Sequence, residues 1–174
     1  MIETTHTVTI ATDIDSVWDY VRDIRQWASL FPGCRECSVI DDDNSLWIIK
    51  VGAGGLVRTV NAQVHIEQWA GPEQVLFSYQ LESEPVVGGG SYTATRISDV
   101  ETEIALQVRV EGSGSMAPMW EAVSKPLLPQ LAKIFASKLK AEIEARAAPE
   151  AVQQETADDE PSRLARMKNW IKSR

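Results

Sequence analysis

The strongest constraint on how this chain can fold is a change of hydrophobic period. For about eighty residues after Pro32-Gly33 the apolar side chains alternate at every second position, and from Met116 they switch to helical spacing for about thirty more. Trp47, Ile49 and Val51 alternate in one segment, Val60, Ala62, Val64 and Ile66 in the next, then Val75, Phe77, Tyr79 and Leu81, and later Ile104, Leu106, Val108 and Val110. Ser91 to Ile97 is also strand-like, with the face of Tyr92 left open. Breaks at Asp41-Asn44, Gly52-Gly55, Gly71-Pro72, Glu84 to Gly90 and Ser98-Asp99 delimit six strands. One dry face, one wet face and short breaks describe an antiparallel meander.

Ahead of the meander, residues 2–11 carry Val8 and Ile10 in alternation and suit a further strand. Asp13 or Asp15 then caps a helix with apolar residues at 14, 17, 18, 21 and 24. Trp27, Leu30 and Phe31 suggest a second short helix, stopped by Pro32-Gly33. Behind the meander, Met116, Met119, Trp120, Val123, Leu127, Leu131, Ile134, Phe135, Leu139 and Ile143 make one stripe. A helix over 117–147 extends ~45 Å, across a whole small domain. Pro126 and Pro129 inside it predict a kink, or a separate first turn over 117–124, and Pro149 ends it. The expected fold class is α+β: a seven-stranded antiparallel sheet curled around one long C-terminal helix, its dry face on the helical stripe.

At 174 residues the chain is long enough for one real core with a segment left over. A net charge of −8, with bases interleaved among acids over most of the chain, argues against nucleic acid as a partner. No run approaches the ~20 apolar residues of a membrane span, and Met1 to His6 lack the pattern of a signal peptide, so the expected address is the cytoplasm.

Predicted inward positions are rich in aromatic and sulfur side chains: Trp27, Phe31, Trp47, Phe77, Tyr79, Met116, Met119, Trp120 and Phe135. Such groups adapt to flat, lipophilic guests, and a curled sheet wraps more volume than one helix edge fills. With Tyr92, Leu127 and Leu131 they form the candidate ligand-binding set. Catalytic signatures are thin. His6 is placed to point inward and His65 outward, and neither has a patterned partner. With Cys34 and Cys37 they do not make a metal-ligand spacing, so no metal is expected. No Gly-x-Ser-x-Gly elbow, P-loop or dinucleotide fingerprint is present, and the glycine runs at 52–55 and 88–90 border strands. Cys34-Arg-Glu-Cys37 enters a strand instead of opening a helix, and residues three apart on a strand point to opposite faces, which disfavours a disulfide. Arg58 and Arg96 are candidates for charge at a cavity mouth, and Tyr79 for a hydroxyl offered to a carbonyl.

The total charge conceals its parts. Residues 1–149 hold 12 bases and 20 acids, residues 150–160 hold five acids and no base, and residues 162–174 hold five bases and no acid. The acidic stretch, 149–161, has the composition of a disordered linker. In the basic stretch Leu164, Met167 and Ile171 share one helical face, Trp170 borders it, and Arg163, Arg166, Lys168 and Lys172 flank it. Thirteen residues need a surface to form a helix on, and this pattern suits an anionic membrane leaflet. The linker's typical span of ~20 Å would hold the body, residues 1–148, close to that membrane. A frayed tail, or one docked on protein, is the alternative.

Ile14-Asp-Ser-Val-Trp-Asp-Tyr-Val21, Asp23-Ile24, Phe31-Pro-Gly-Cys34 and Gly112-Ser-Gly-Ser-Met-Ala-Pro118, in this order and at these separations, resemble the START-like (SRPBCC) helix-grip superfamily. They are most similar to its CoxG family, whose members accompany carbon monoxide dehydrogenase. The resemblance covers about residues 2–147 and implies a helix-grip fold with a deep apolar cavity. It further implies association with molybdenum hydroxylase systems such as carbon monoxide dehydrogenase, recruitment to the inner face of the cell membrane through the C-terminus, and binding of lipophilic quinones. The leading expectation is a non-catalytic carrier of a quinone or related lipid, with no resident cofactor. An enzyme of the polyketide cyclase or hydrolase kind, using His6, Tyr79 and Tyr92, is the alternative, and an assembly factor for a hydroxylase is a third.

Overall fold

The computed structural model describes residues 1–53 and 56–147. In chain order these form β1 (Ile2–Ile10), α1 (Ile14–Val21), α2 (Ile24–Leu30), β2 (Cys34–Val39), β3 (Asn44–Ala53), β4 (Leu56–Ala70), β5 (Gln74–Leu81), β6 (Val86–Ser98), β7 (Glu101–Gly112), a single 3-10 turn at Gly114–Met116, and α3 (Ala117–Ala147). The seven strands form one antiparallel sheet in the order β1-β7-β6-β5-β4-β3-β2. Strands β2 to β7 thus run as a meander, and β1 closes onto β7 at the far edge.

Local chemistry sets the ends of the helices. Asp13 caps α1 by accepting from the Ser16 backbone N–H at 3.1 Å, and Asp23 caps α2 by accepting from the Arg25 N–H at 3.0 Å. Gly33, at φ +83, then turns the chain into β2, and a side chain there would also strike the Lys50 carbonyl. Asp41 shapes the β2–β3 hairpin by accepting from the backbone N–H groups of Asp43 and Asn44 at 2.9 and 2.8 Å.

Alternation decides which face is dry. Val60, Ala62, Val64 and Ile66 are buried on β4, whereas Gln63 and His65 between them are exposed. α3 lies across this concave face but not evenly: it packs extensively on β1 and β7 and only briefly on β3. Ala136, Leu139 and Ile143 are almost wholly buried in its C-terminal half, where Lys140 donates to the Thr9 carbonyl at 2.6 Å and the Arg146 guanidinium lies 4.6 Å over the Tyr20 ring.

Three local expectations need correction. There is no separate first turn over 117–124: α3 runs as one helix from Ala117 with a 3-10 turn before it, and Pro126 and Pro129 lie on its exposed side, where their missing backbone donors leave the core side chains in place. Gly88 to Gly90 lie inside β6, not before it. A β-bulge between Cys34 and Glu36 adds one residue to β2, so Cys34 opposes Ile49 and Cys37 opposes Trp47, and the two cysteines share the inward face. Both are free thiols.

Candidate ligand cavity

Between the concave face of the sheet and α3 lies a cavity of about 180 Å³. Its wall is built from Ile24, Trp27 and Phe31 at one end, then Trp47, Ile49 and Val51 of β3, Val60, Ala62, Val64 and Ile66 of β4, and Phe77, Tyr79 and Leu81 of β5. Val86 of β6 and Leu106, Val108 and Val110 of β7 continue it, and α3 supplies Trp120, Val123, Ser124, Leu127, Leu128, Leu131, Ala132 and Phe135. Only Ser124 in this set lacks an apolar or aromatic body. An apolar space of ~150 Å³ stays dry and admits a benzene-sized guest, so this one has room for a ring-sized group.

Three features leave the space open. α3 leans on β1 and β7 and away from β4 and β5. Ala62 puts only a methyl group on the floor. Gly88 and Gly90 have no side chain at all, and the rings of Tyr79 and Phe77 from β5 lie across them. A Cβ on Gly90 would strike the Gln107 carbonyl oxygen and one on Gly88 the Tyr79 ring, so close approach of chain and ring requires glycine at both. From this position Tyr79 Oη reaches over β6 and donates to the Arg109 carbonyl at 2.8 Å.

Trp27 organises the α2 end. Its ring centroid lies 5.9 Å from Phe77, 6.0 Å from Tyr92 and 6.1 Å from Phe135, and its indole N–H donates to the Val21 carbonyl at 2.5 Å. Phe31 meets Trp47 at 5.9 Å, and the Trp47 N–H donates to Ser45 Oγ at 2.9 Å. Among the described residues, two buried side-chain polar atoms have no partner: Tyr92 Oη and Trp120 Nε1. Each such orphan costs about 1–3 kcal/mol. Burial alone drives the Tyr92 phenol well above its ordinary value, and burial, slightly offset by Arg109, does the same for Tyr79. Both phenols are therefore neutral at physiological pH.

Of the residues expected at the site, Trp27, Phe31, Trp47, Phe77, Tyr79, Trp120, Leu127, Leu131 and Phe135 line the cavity together. Tyr92 does not: it is fully buried in the wall behind Trp27. Met116, in the 3-10 turn, and Met119, in the first turn of α3, are also outside it, half-buried against the core. Met119 lines only a small adjoining pocket with Val51, Gly52, Arg58, Trp120 and Val123. Arg58 is paired with Glu84, and Arg96 is paired with Asp99 on the surface away from the cavity. His6 shares the inward face of β1 with Val8 and Ile10 but lies outside the cavity wall, and His65 is exposed with Nδ1 2.9 Å from Asn44 Oδ1. The aliphatic wall, including Ile49, Val51, Val60, Val108 and Val123, was missed as a site although its alternation was plain. Among the described residues no three His, Cys, Asp or Glu side chains converge, and no helix is long and apolar enough to cross a membrane. The linker 149–161 and the basic segment 162–174 lie outside the described residues.

A curved antiparallel sheet gripping one long helix around an apolar cavity defines a START-like helix-grip domain. The chain belongs to the family described as polyketide cyclase / dehydrase and lipid transport, whose model matches residues 1–148. Similar solved structures include a conserved protein from Geobacillus kaustophilus, 17% identical with a TM-score of 0.69, covering 82% of this chain and 95% of that one. The ZhuI aromatase/cyclase from Streptomyces sp. R1128 is 18% identical with a TM-score of 0.63, at 85% and 96% coverage. A START superfamily protein from Mycobacterium smegmatis is 14% identical with a TM-score of 0.62, at 80% and 97% coverage. No curated protein matches the chain.

Proposed function

We propose that this protein is a non-catalytic binder of a lipophilic small molecule, a quinone or related isoprenoid lipid, which it holds at the membrane surface for a redox enzyme of the molybdenum hydroxylase kind. The observation that carries the binding reading is the cavity wall. It is apolar almost throughout, and the polar groups of Trp27, Trp47 and Tyr79 are spent on hydrogen bonds within the protein. Such a wall favours an apolar guest by burial, at roughly 25 cal/mol per Å² of surface removed from water, and offers little to a charged one. The family's description, which includes lipid transport, supports the same reading.

The finer assignment rests on sequence resemblance. Phe31-Pro-Gly-Cys34 and the Gly112 to Pro118 lead into α3 are similar to the CoxG proteins of carbon monoxide dehydrogenase systems, and the basic amphipathic residues 162–174 suit an anionic leaflet. A vesicle assay tests both parts. The full chain should move a fluorescence-quenching quinone from donor to acceptor vesicles and should float with vesicles containing anionic lipid. Deleting residues 161–174 should abolish flotation and leave quinone binding intact. Flotation unchanged by the deletion would sink the tether, and absence of quinone transfer would sink the carrier.

A second reading is a cyclase-type enzyme using the same cavity, supported by the likeness to the ZhuI aromatase/cyclase. It requires a proton donor or acceptor facing the guest, for which the Ser124 hydroxyl is the available group on the wall. Turnover of an aromatic polyketide substrate, lost in Ser124→Ala with binding retained, would favour it.

A further inference from the structure

The cavity carries three indole rings, and their N–H groups are not equivalent. Those of Trp27 and Trp47 are satisfied by Val21 and Ser45. That of Trp120 is buried without a partner, on a residue only 7% exposed. An indole N–H can only donate, so the group it lacks is an acceptor.

Trp120 also stands at a particular place. With Val51 and Val123 it belongs both to the main cavity and to the small pocket beside it, which ends at Arg58. Ser124, the one residue of the wall without an apolar body, lies one helical turn further on. The opposite end, fifteen residues along α3 or ~22 Å, is closed by Phe135 against Trp27, whose N–H is already spent. The cavity is thus polar at one end only. The charge near that end is already neutralised, because Arg58 is paired with Glu84.

We infer that the guest is a neutral lipophile bearing a carbonyl oxygen or similar acceptor, which accepts a hydrogen bond from Trp120 Nε1 while its apolar body extends toward Trp27 and Phe135. This rests on the lipophile-binding reading and adds the class and the orientation of the guest. A pure hydrocarbon leaves the indole donor unmet. A carboxylate brings a second anion to the end where Glu84 already answers Arg58. Nε1 is closed over by its surroundings, so the contact requires the indole to turn toward the guest, and Trp120 borders both the main cavity and the small pocket beside it.

The test compares near-isosteric one-ring probes on the full chain: acetophenone, which carries C=O, α-methylstyrene, which carries C=CH2, and benzoate. By calorimetric titration, Trp120→Phe should weaken acetophenone about five- to tenfold, the size of one net hydrogen bond, and α-methylstyrene less than twofold. Benzoate should bind the unmodified chain more weakly than acetophenone does. Equal losses for the two neutral probes, or none, would overturn the assignment, as would benzoate binding more tightly than acetophenone. Independently of the variant, the Trp120 indole proton of the unmodified chain should shift downfield in NMR spectra with acetophenone and stay in place with α-methylstyrene. An unmoved resonance at saturation overturns the assignment even where the variant does not fold. If neither neutral probe binds, the lipophile-binding reading falls as well, whereas α-methylstyrene binding with a silent Trp120 removes only the inferred contact.

Discussion

Replacing Ala132 by leucine asks directly whether the space between sheet and helix exists. Ala132 lies on α3, 5% exposed, with its methyl group on the cavity wall. The substitution adds three carbons, which at ~0.8 kcal/mol per buried methylene yield roughly 2.4 kcal/mol. Ordering the leucine side chain costs about 0.5–1 kcal/mol, and helix propensity hardly changes. The net expectation is a stabilisation of about 1.5 kcal/mol. In a filled core the same change forces neighbours off their rotamers and destabilises by about 1–3 kcal/mol, so the two cases differ in sign. Urea denaturation followed by tryptophan fluorescence reads the difference. With a slope near 1.5 kcal/mol/M the midpoint should rise by about 1 M, and affinity for an apolar probe should fall because the leucine occupies the probe's volume. A fall in the midpoint of that size would refute the existence of the cavity. A rise with probe binding unchanged would refute its role as the binding site.

Other expectations follow from single residues. Gly90→Ala should destabilise the fold by more than ~3 kcal/mol in the same denaturation assay, because the methyl group meets the backbone carbonyl of Gln107, which cannot move without parting β6 from β7. Asp13 and Asp41 are held below the ordinary carboxylate value of 3.8, Asp13 first by the Ser16 hydroxyl and Asp41 first by the Asp43 backbone N–H. A depressed native value means their contribution is present above pH 3.8 and lost as pH falls through the lowered value. Asp13→Asn and Asp41→Asn should therefore flatten the acid limb of the stability–pH curve, and an unchanged limb would count against the capping roles. Burial raises both Cys34 and Cys37 above the ordinary thiol value of 9.0, with each other's proximity adding to Cys37. At pH 8 both should react with a chromogenic disulfide more slowly than glutathione does, and at its rate only in denaturant.

How far the sequence disclosed this molecule depended on the range of the interaction involved. Strands announce themselves through alternation, because one residue's exposure fixes its neighbour's, so β4 is read directly from Val60, Ala62, Val64 and Ile66. The caps at Asp13 and Asp23 and the stripe on α3 are likewise local. What escaped was set by partners distant in sequence. The triple glycine looks like a loop until Phe77 and Tyr79 are laid across it from β5, and Cys34 and Cys37 change their relation only because β2 bulges against β3. Seeking adaptable aromatic and sulfur side chains led to Trp27 and Phe135, which do line the cavity, and to Met116 and Tyr92, which do not. The larger aliphatic part of the wall was legible as core but not as cavity, because periodicity tells which face is dry and not how much of it is filled.

Whether the cavity holds a lipophilic guest is tested most directly by native mass spectrometry of the full chain, purified from its source without detergent. The expected result is a stoichiometric mass increment that collisional activation releases and organic extraction recovers as a neutral, carbonyl-bearing lipophile. A chain that flies at its bare mass in every preparation, and still does so after incubation with quinone-loaded vesicles, would contradict it.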